Sequence, residues 1–144
     1  MTIAELKLLK ESEDKVEFKA ATHNFSYAGS EHKDQEERRR CFLGYVVAFA
    51  NEGGGMLVLG LADKAPHNVV GSDFALGKAG ALEDETYSRL GIRVRIEELY
   101  ENGFRVLVAH IPARPIGKMM KFEGVPLMRV GESLRNMSDE EMFA

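Results

Sequence analysis

The sequence predicts a mixed α/β (α+β) fold in which a central strand and β-hairpins pack against one long helix. Residues 56–61, MLVLGL, are apolar without polar alternation, which is typical of a strand buried on both faces. After this strand, Asn102-Gly103 separates two alternating runs, which is the strongest short-range signal for a β-hairpin. Before it, apolar residues recur at helical spacing, at Phe42, Tyr45, Val46 and Phe49.

Length and composition indicate one globular domain. The chain has 144 residues, of which 44% are hydrophobic and 29% are charged, which is enough for a hydrophobic core. No apolar run is long enough to span a bilayer, and residues 1–15 contain no signal-peptide core, so we expect a cytoplasmic protein without membrane contact. The single cysteine, Cys41, excludes an internal disulfide and a zinc site of the CxxC type.

The charge is unevenly distributed along the chain. The net charge of −4 argues against a general nucleic-acid binder. Residues 102–136, however, contain six Lys or Arg and two Asp or Glu, a local net charge of +4. A basic zone of this kind is compatible with a phosphate-binding face, and scattered solvated charge explains the composition equally well.

The first half of the chain predicts two helices, a strand and a loop. Residues 3–10 have the spacing of a short amphipathic helix. Residues 15–20 alternate, which predicts a strand with Glu17 and Lys19 on its exposed side. Residues 21–33 are turn-rich, and Asp34 is suited to cap a helix over residues 35–51 that ends at three glycines, 53–55.

The second half predicts a short strand at 69–71, a helix at 82–90 and two hairpins. If Asn102-Gly103 form the turn of the first hairpin, Tyr100 faces Arg105 and Ile96 faces Ala109. The same register gathers Arg93, Arg95 and His110 at the end farthest from the turn.

Residues 112–118 form a loop constrained by two prolines, and residues 118–130 predict a second hairpin around Glu123-Gly124. Residues 131–133 predict a turn, and Ser138 with Glu141 forms a capping box that starts a further helix. We therefore expect the chain to be part of a longer protein.

Four stretches, in order, resemble the Schlafen AlbA-2 domain family. They are ES followed by VEFK within 11–19, AFANEGG at 48–54, LGLAD at 59–63 with VVG at 69–71, and MRVGES at 128–133. The resemblance implies one mixed α/β domain over residues 1–144. It also implies a nucleic-acid-binding module of bacterial transcriptional regulators, often placed upstream of a winged-helix segment.

In its nuclease members, the family also has a metal-dependent acidic site of two glutamates and an aspartate. Carried onto this chain, the second glutamate is Glu17, the first is Glu11 or Glu13, and the aspartate is Asp63. The family's interval of five falls here on Ser12, and Ala62 stands where the family has a first aspartate. A nuclease using Glu13, Glu17 and Asp63 with Mg²⁺ or Mn²⁺ is therefore the alternative function, and otherwise we expect no cofactor.

Binding of DNA or RNA through phosphates is the leading interpretation, since Lys and Arg are the side chains that contact phosphate. Oligomerisation, with the hairpins pairing to form a homodimer, is a further class. Nucleotide binding is disfavoured because the glycines at 53–55 follow the C-terminus of a helix, which repels phosphate. These glycines also fit neither of the phosphate-binding motifs GxxxxGK[ST] and GxGxxG. The candidate phosphate-binding residues are Lys19, Arg93, Arg95, Arg114, Lys118 and Arg129.

Overall fold

The computed structural model describes residues 1–131 and 133–143 and confirms the mixed α+β fold. The predictions that involve Glu132 lie outside the described residues. None of the described helices is long and apolar enough to cross a membrane. The helices are α1 (Ile3–Lys7), α2 (Gln35–Arg39), α3 (Phe42–Asn51), α4 (Ala79–Leu90) and α5 (Asp139–Met142). The strands are β1 (Val16–Lys19), β2 (Gly55–Leu59), β3 (Arg95–Glu101), β4 (Phe104–Ile111), β5 (Leu127–Val130) and β6 (Ser133–Asn136).

A four-stranded mixed sheet with the order β1-β2-β4-β3 forms the centre of the fold. β1 is parallel to β2, whereas β4 is antiparallel to both β2 and β3. The β3–β4 hairpin has the predicted register, with Tyr100 opposite Arg105 and Ile96 opposite Ala109. This register confirms that Asn102-Gly103 are the two residues of the turn, because a slip of one position would change every pair.

Both faces of this sheet are covered, as the apolar central strand predicts. On one face, Leu57 and Leu59 of β2 pack in a core that includes α3. On the other face, Val58 packs with Val106 and Val108 in a core that includes Ile3 and Leu6 of α1. β2 is therefore buried on both sides, which explains why its sequence has no polar alternation.

The helix predicted over residues 35–51 is wrong in its continuity, because α2 and α3 are separate. Cys41 is extended between them, and its Sγ accepts a hydrogen bond from the Gly44 N–H at 3.3 Å. The predicted loop supplies the reason for the break. Its carbonyl oxygens at Ser26 and Tyr27 accept from the N–H groups of Phe42 (2.9 Å) and Leu43 (3.0 Å). These bonds satisfy the free donors at the start of α3.

The pairing near the C-terminus also differs from the prediction. Within 118–130 only one bridge forms, between Phe122 and Val125, and the second hairpin pairs β5 with β6 instead. Residues 69–71 likewise form a single bridge, between Val69 and Leu61, rather than a strand. The predicted capping box is confirmed, since the Ser138 hydroxyl accepts from the Glu141 N–H at 3.2 Å.

The glycines between α3 and β2 allow three segments to approach closely. Gly53 and Gly54 have φ values of +96° and +97°, which L-residues with side chains rarely adopt. A methyl group on Gly54 would lie 2.7 Å from the carbonyl oxygen of Ile111. One on Gly55 would lie 2.4 Å from Cδ1 of Phe49 and 2.5 Å from the carbonyl oxygen of Lys15. The turn is therefore held tightly against β4 and against the residue before β1.

We expect the Gly55→Ala substitution to lower the free energy of unfolding by about 1–3 kcal/mol, because the added methyl overlaps backbone and a buried ring. Gly80→Ala is the matched control, since nothing lies within 4 Å of a methyl group there and the site is helical. That substitution should be neutral or stabilising by about 0.5–1 kcal/mol. Urea denaturation of both variants measures the difference, and equal stabilities would contradict the close approach.

Candidate nucleic-acid interface

The structure divides the six predicted cationic residues between two places. Lys19 and Arg129 lie among acidic side chains around the buried Glu17, in a group that we call the ion cluster: Glu11, Glu17, Lys19, Glu52, Asp63 and Arg129. The other four lie around the end of the sheet where β2 and β3 begin and β4 ends.

Glu17 is the buried centre of the ion cluster, not an exposed residue as the alternation of β1 predicts. Its exposed fraction is only 4%. Val16 and Phe18 point into the α1 core, so Glu17 points to the opposite face, where Arg129 of β5 lies against it. Local periodicity does not reveal this cover, because β5 is more than 100 residues away in sequence.

Arg129 joins β5 to the main sheet through several contacts. Its Nη1 lies 3.5 Å from Oε1 of Glu17 and donates to the Val16 carbonyl oxygen at 3.2 Å. Its Nε donates to Oε2 of Glu52 at 3.2 Å, and its guanidinium lies 4.0 Å from the centre of the Phe49 ring. The side chain is 11% exposed. These contacts leave little of the guanidinium for a ligand, so phosphate binding by Arg129 stays a prediction that the geometry does not favour.

Lys19 is also held by acidic neighbours. Its Nζ lies 3.9 Å from Oε2 of Glu17 and 4.0 Å from Oδ2 of Asp63. Burial acts to lower the pKa of Lys19, but Tyr45, Glu17 and Asp63 outweigh it and raise the pKa. Lys19 is therefore a partly buried cation between two carboxylates, and its predicted phosphate contact is likewise not favoured.

The three predicted nuclease carboxylates do not converge on one point. Glu17 and Asp63 have the Lys19 ammonium between them, and Glu13 is exposed in the turn before β1. Glu11 takes the place closer to Glu17, with its Oε2 accepting from the Phe18 N–H at 3.1 Å. Within 1–131 and 133–143, no three His, Cys, Asp or Glu side chains are arranged to hold a metal ion. This set of donors, with an ammonium and a guanidinium among them, does not fit a divalent cation.

The pKa of Glu17 is raised to about 7. Burial is the largest cause, and the neighbouring Glu11 carboxyl adds to it, whereas Lys19 and Arg129 act in the opposite direction. Because the pKa in the folded state exceeds the ordinary value of 4.5, folding favours the protonated carboxyl. The contribution of this carboxyl to the free energy of unfolding is therefore complete below pH 4.5 and is lost as the pH rises through about 7.

The other four predicted cationic residues lie around an open end of the sheet: Arg93, Arg95, Arg114 and Lys118. Arg93, Arg95 and His110 line one shallow concavity of about 390 Å³ together with Lys15. Asp14 also lines it, and its Oδ2 accepts from the Lys10 N–H at 2.7 Å. Arg95 lies opposite His110 in the hairpin, which confirms the predicted gathering of these residues at the end farthest from the turn. We call this set the basic concavity: Lys15, Arg93, Arg95 and His110.

Arg93 and His110 are held by neighbouring side chains, and no member of the basic concavity is fully buried. Arg93 is 65% exposed, lies 3.9 Å from the centre of the Tyr87 ring and is 3.5 Å from Oδ1 of Asp84. Arg95 is exposed and has no ion-pair partner among the described residues. Nε2 of His110 lies 2.9 Å from Oε1 of Glu97.

Lys15 is the member that the sequence interpretation missed. Its Nζ donates to the Glu52 carbonyl oxygen at 2.9 Å, beside the glycine turn. The sequence does contain a signal for this placement. Lys15 directly precedes β1, and parallel neighbouring strands such as β1 and β2 begin at the same end of a sheet.

The proline-constrained loop of residues 112–118 borders this concavity and adds two cations. Pro112 lines the concavity itself. The N–H of Arg114 donates to the Ala50 carbonyl oxygen at 2.8 Å, which anchors the loop to the end of α3. Nζ of Lys118 would lie 3.3 Å from a methyl group on Gly91, two residues before Arg93. The loop cations therefore flank the same end of the sheet.

We expect Glu17→Gln to remove the part of the pH dependence of stability that arises from this carboxyl. Between pH 4.5 and 8 the free energy of unfolding of the wild type should fall by about 1–3 kcal/mol more than that of the variant. Only the wild type has a carboxyl at this position that the folded state keeps protonated to a higher pH than the unfolded state does. Urea denaturation across this pH range measures the change. Glu13→Gln, which alters an exposed carboxylate, is the control. Parallel pH profiles for wild type and Glu17→Gln would show that Glu17 titrates normally.

Comparisons with known proteins assign the chain to a family. No curated protein matches it significantly in sequence. The DIP2311 protein from Corynebacterium diphtheriae has a similar structure, with a TM-score of 0.65 and 19% identity over 93% of this chain. The chain spans only 24% of the length of that structure. The N-terminal domain of a RecG-related protein from Nitrosomonas europaea gives a TM-score of 0.48 and 18% identity, covering 96% of this chain and 92% of that one. The model of the Schlafen, AlbA_2 family matches residues 12–138, and the chain therefore belongs to this family.

Proposed function

We propose that this domain binds nucleic acid by contacting phosphates with the basic concavity and the neighbouring loop cations. The observation that carries the proposal is the grouping of Lys15, Arg93 and Arg95 on one open surface, with Arg114 and Lys118 beside them. Membership of the Schlafen, AlbA_2 family supports the same function. A polyanion is the ligand for which several separate exposed cations are suited, because each one displaces counterions from a phosphate.

The separation of charge within the domain fits this function. The chain as a whole is acidic, with a net charge of −4, so nonspecific attraction to nucleic acid is weak. The ion cluster neutralises Lys19 and Arg129 internally. Binding is therefore concentrated where cations project from the end of the sheet, and backbone contacts of this kind fix position without reading bases. We further propose that the domain acts in a cytoplasmic transcriptional regulator.

The two other classes receive less support from the geometry. A nuclease requires a metal-binding carboxylate group, and Lys19 and Arg129 occupy the space that a cation would need beside Glu17. A homodimer through β3 requires a free sheet edge. Glu83 of α4 accepts a hydrogen bond from the Ile96 N–H at 2.7 Å and thereby covers part of that edge. Both remain predictions.

We expect Arg95→Ala to weaken binding to duplex nucleic acid and to lower the dependence of log affinity on log salt concentration by about 0.9 if one phosphate contact is lost. Arg93→Ala should act in the same direction. Fluorescence anisotropy with a labelled duplex, titrated at several salt concentrations, measures both quantities.

The matched control for these variants is Arg40→Ala. Arg40 is an exposed arginine just before the N-terminus of α3. The glycine turn beside the concavity follows the C-terminus of α3, and the rise of this helix separates the two ends by about 15 Å. This variant should bind like the wild type. Absence of wild-type binding at low salt, or equal losses for Arg95→Ala and Arg40→Ala, would contradict the proposed interface.

A further inference from the structure

The loop that borders the basic concavity presents an isolated apolar side chain. Ile116 is the most exposed large hydrophobic residue described, with its whole side chain in solvent. It lies between Arg114 and Lys118, whose cations flank it on either side along the chain. Single exposed apolar residues are common on protein surfaces. Ile116 differs because the loop around it is fixed.

Four features hold this loop in one conformation. Lys118 N–H donates to the Pro115 carbonyl oxygen at 3.1 Å, which closes a tight turn with Ile116 at its tip. Gly117 has a φ of +79°, as the third position of a type II turn requires. Pro115 fixes φ at the start of the turn. The Arg114 guanidinium spans the turn, with Nη1 donating to the Lys118 carbonyl oxygen at 3.1 Å.

The base of the loop is also anchored. The Arg114 N–H is bonded to the Ala50 carbonyl oxygen at 2.8 Å, at the end of α3. Gly54 packs against Pro112 and Ala113, since a methyl group there would lie 3.1 Å from the Ala113 nitrogen. Little conformational entropy is therefore lost if the tip enters a ligand, because the loop is ordered before binding.

A rigid aliphatic tip between cations has the chemistry of a DNA wedge. Proteins that bind the minor groove insert side chains such as Ile, Leu or Pro between base steps and kink the duplex, while cations contact the adjacent phosphates. Specificity then comes from how easily the DNA deforms and not from hydrogen bonds to bases. This mode agrees with an interface made of phosphate-binding cations.

We propose that Ile116 inserts between adjacent base pairs of duplex DNA in the minor groove and bends it, with Arg114 and Lys118 on the flanking phosphates. The inference rests on the proposed function and extends it to one ligand, a deformable DNA duplex. Pyrimidine–purine steps are the preferred sites, because they unstack most easily.

The test uses a labelled duplex of about 25 base pairs with a central TA step. Its end-to-end energy transfer reports bending, and a 2-aminopurine at the step reports unstacking. Wild-type protein should increase both signals. Ile116→Ser should abolish both and weaken binding on the order of tenfold, with the salt dependence preserved, because no phosphate contact is removed.

Two variants control for the chemistry of the tip and for lost apolar surface. Ile116→Met should retain bending, since methionine also serves as a wedge. Leu76→Ser removes an exposed apolar side chain at a different place in the domain. Leu76 lies in the loop after Ser72, and the Ser72 N–H donates to the Arg105 carbonyl oxygen, at the end of β4 away from the concavity. It should leave bending and affinity unchanged.

The outcomes separate this inference from the proposed function. If the wild type binds with salt-dependent affinity that Arg95→Ala reduces, but neither bends nor unstacks the duplex, the wedge is wrong and the proposed function stands. If Ile116→Ser loses binding to phosphatidylserine vesicles while its DNA bending is unchanged, the tip contacts membranes and the inference is overturned. If the wild type binds no nucleic acid at low salt, both fail together.

Discussion

Between α3 and β2, the backbone at Gly54 and Gly55 passes so close to Ile111 and Lys15 that no side chain fits there. Three segments that are distant in sequence are fixed to one another at this place: the entry to β1, the end of β4 and the end of α3. Lys15 lies directly at this contact, and the loop of residues 112–118 starts from it. The basic concavity and the rigid loop beside it therefore depend on this close packing of backbone.

A second constraint decides which cations are available to a ligand. Glu17 is buried under Arg129, and two neighbouring cations only partly offset the desolvation that raises its pKa. Arg129 in turn holds the β5–β6 hairpin against the sheet through Glu17, Glu52 and the Val16 carbonyl oxygen. Lys19 and Arg129 thus stabilise the arrangement of the chain, since leaving a buried carboxylate unpaired is costly. Of the six predicted cationic residues, the four left for a polyanion lie at the end of the sheet.

The two constraints give the domain a surface with divided roles. Glu17 is buried beneath its cationic partners, whereas Arg95 and Lys118 are exposed where the sheet ends. Rigid anchoring matters for an acidic protein, because binding must come from a few well-placed groups and not from net charge. The loop at Ile116 follows the same principle, as its conformation is fixed by its own hydrogen bonds and by α3.

The sequence by itself determined the features that depend on local pattern. The Asn102-Gly103 turn set the register of the hairpin and hence the grouping of Arg93, Arg95 and His110, and the unbroken apolar run identified β2 as the central strand. Only the tertiary structure decided the burial of Glu17, the pairing of Arg129 and the inclusion of Lys15 in the concavity. A period of two shows which side chains share a face of a strand, but whether that face meets water depends on a segment elsewhere in the chain.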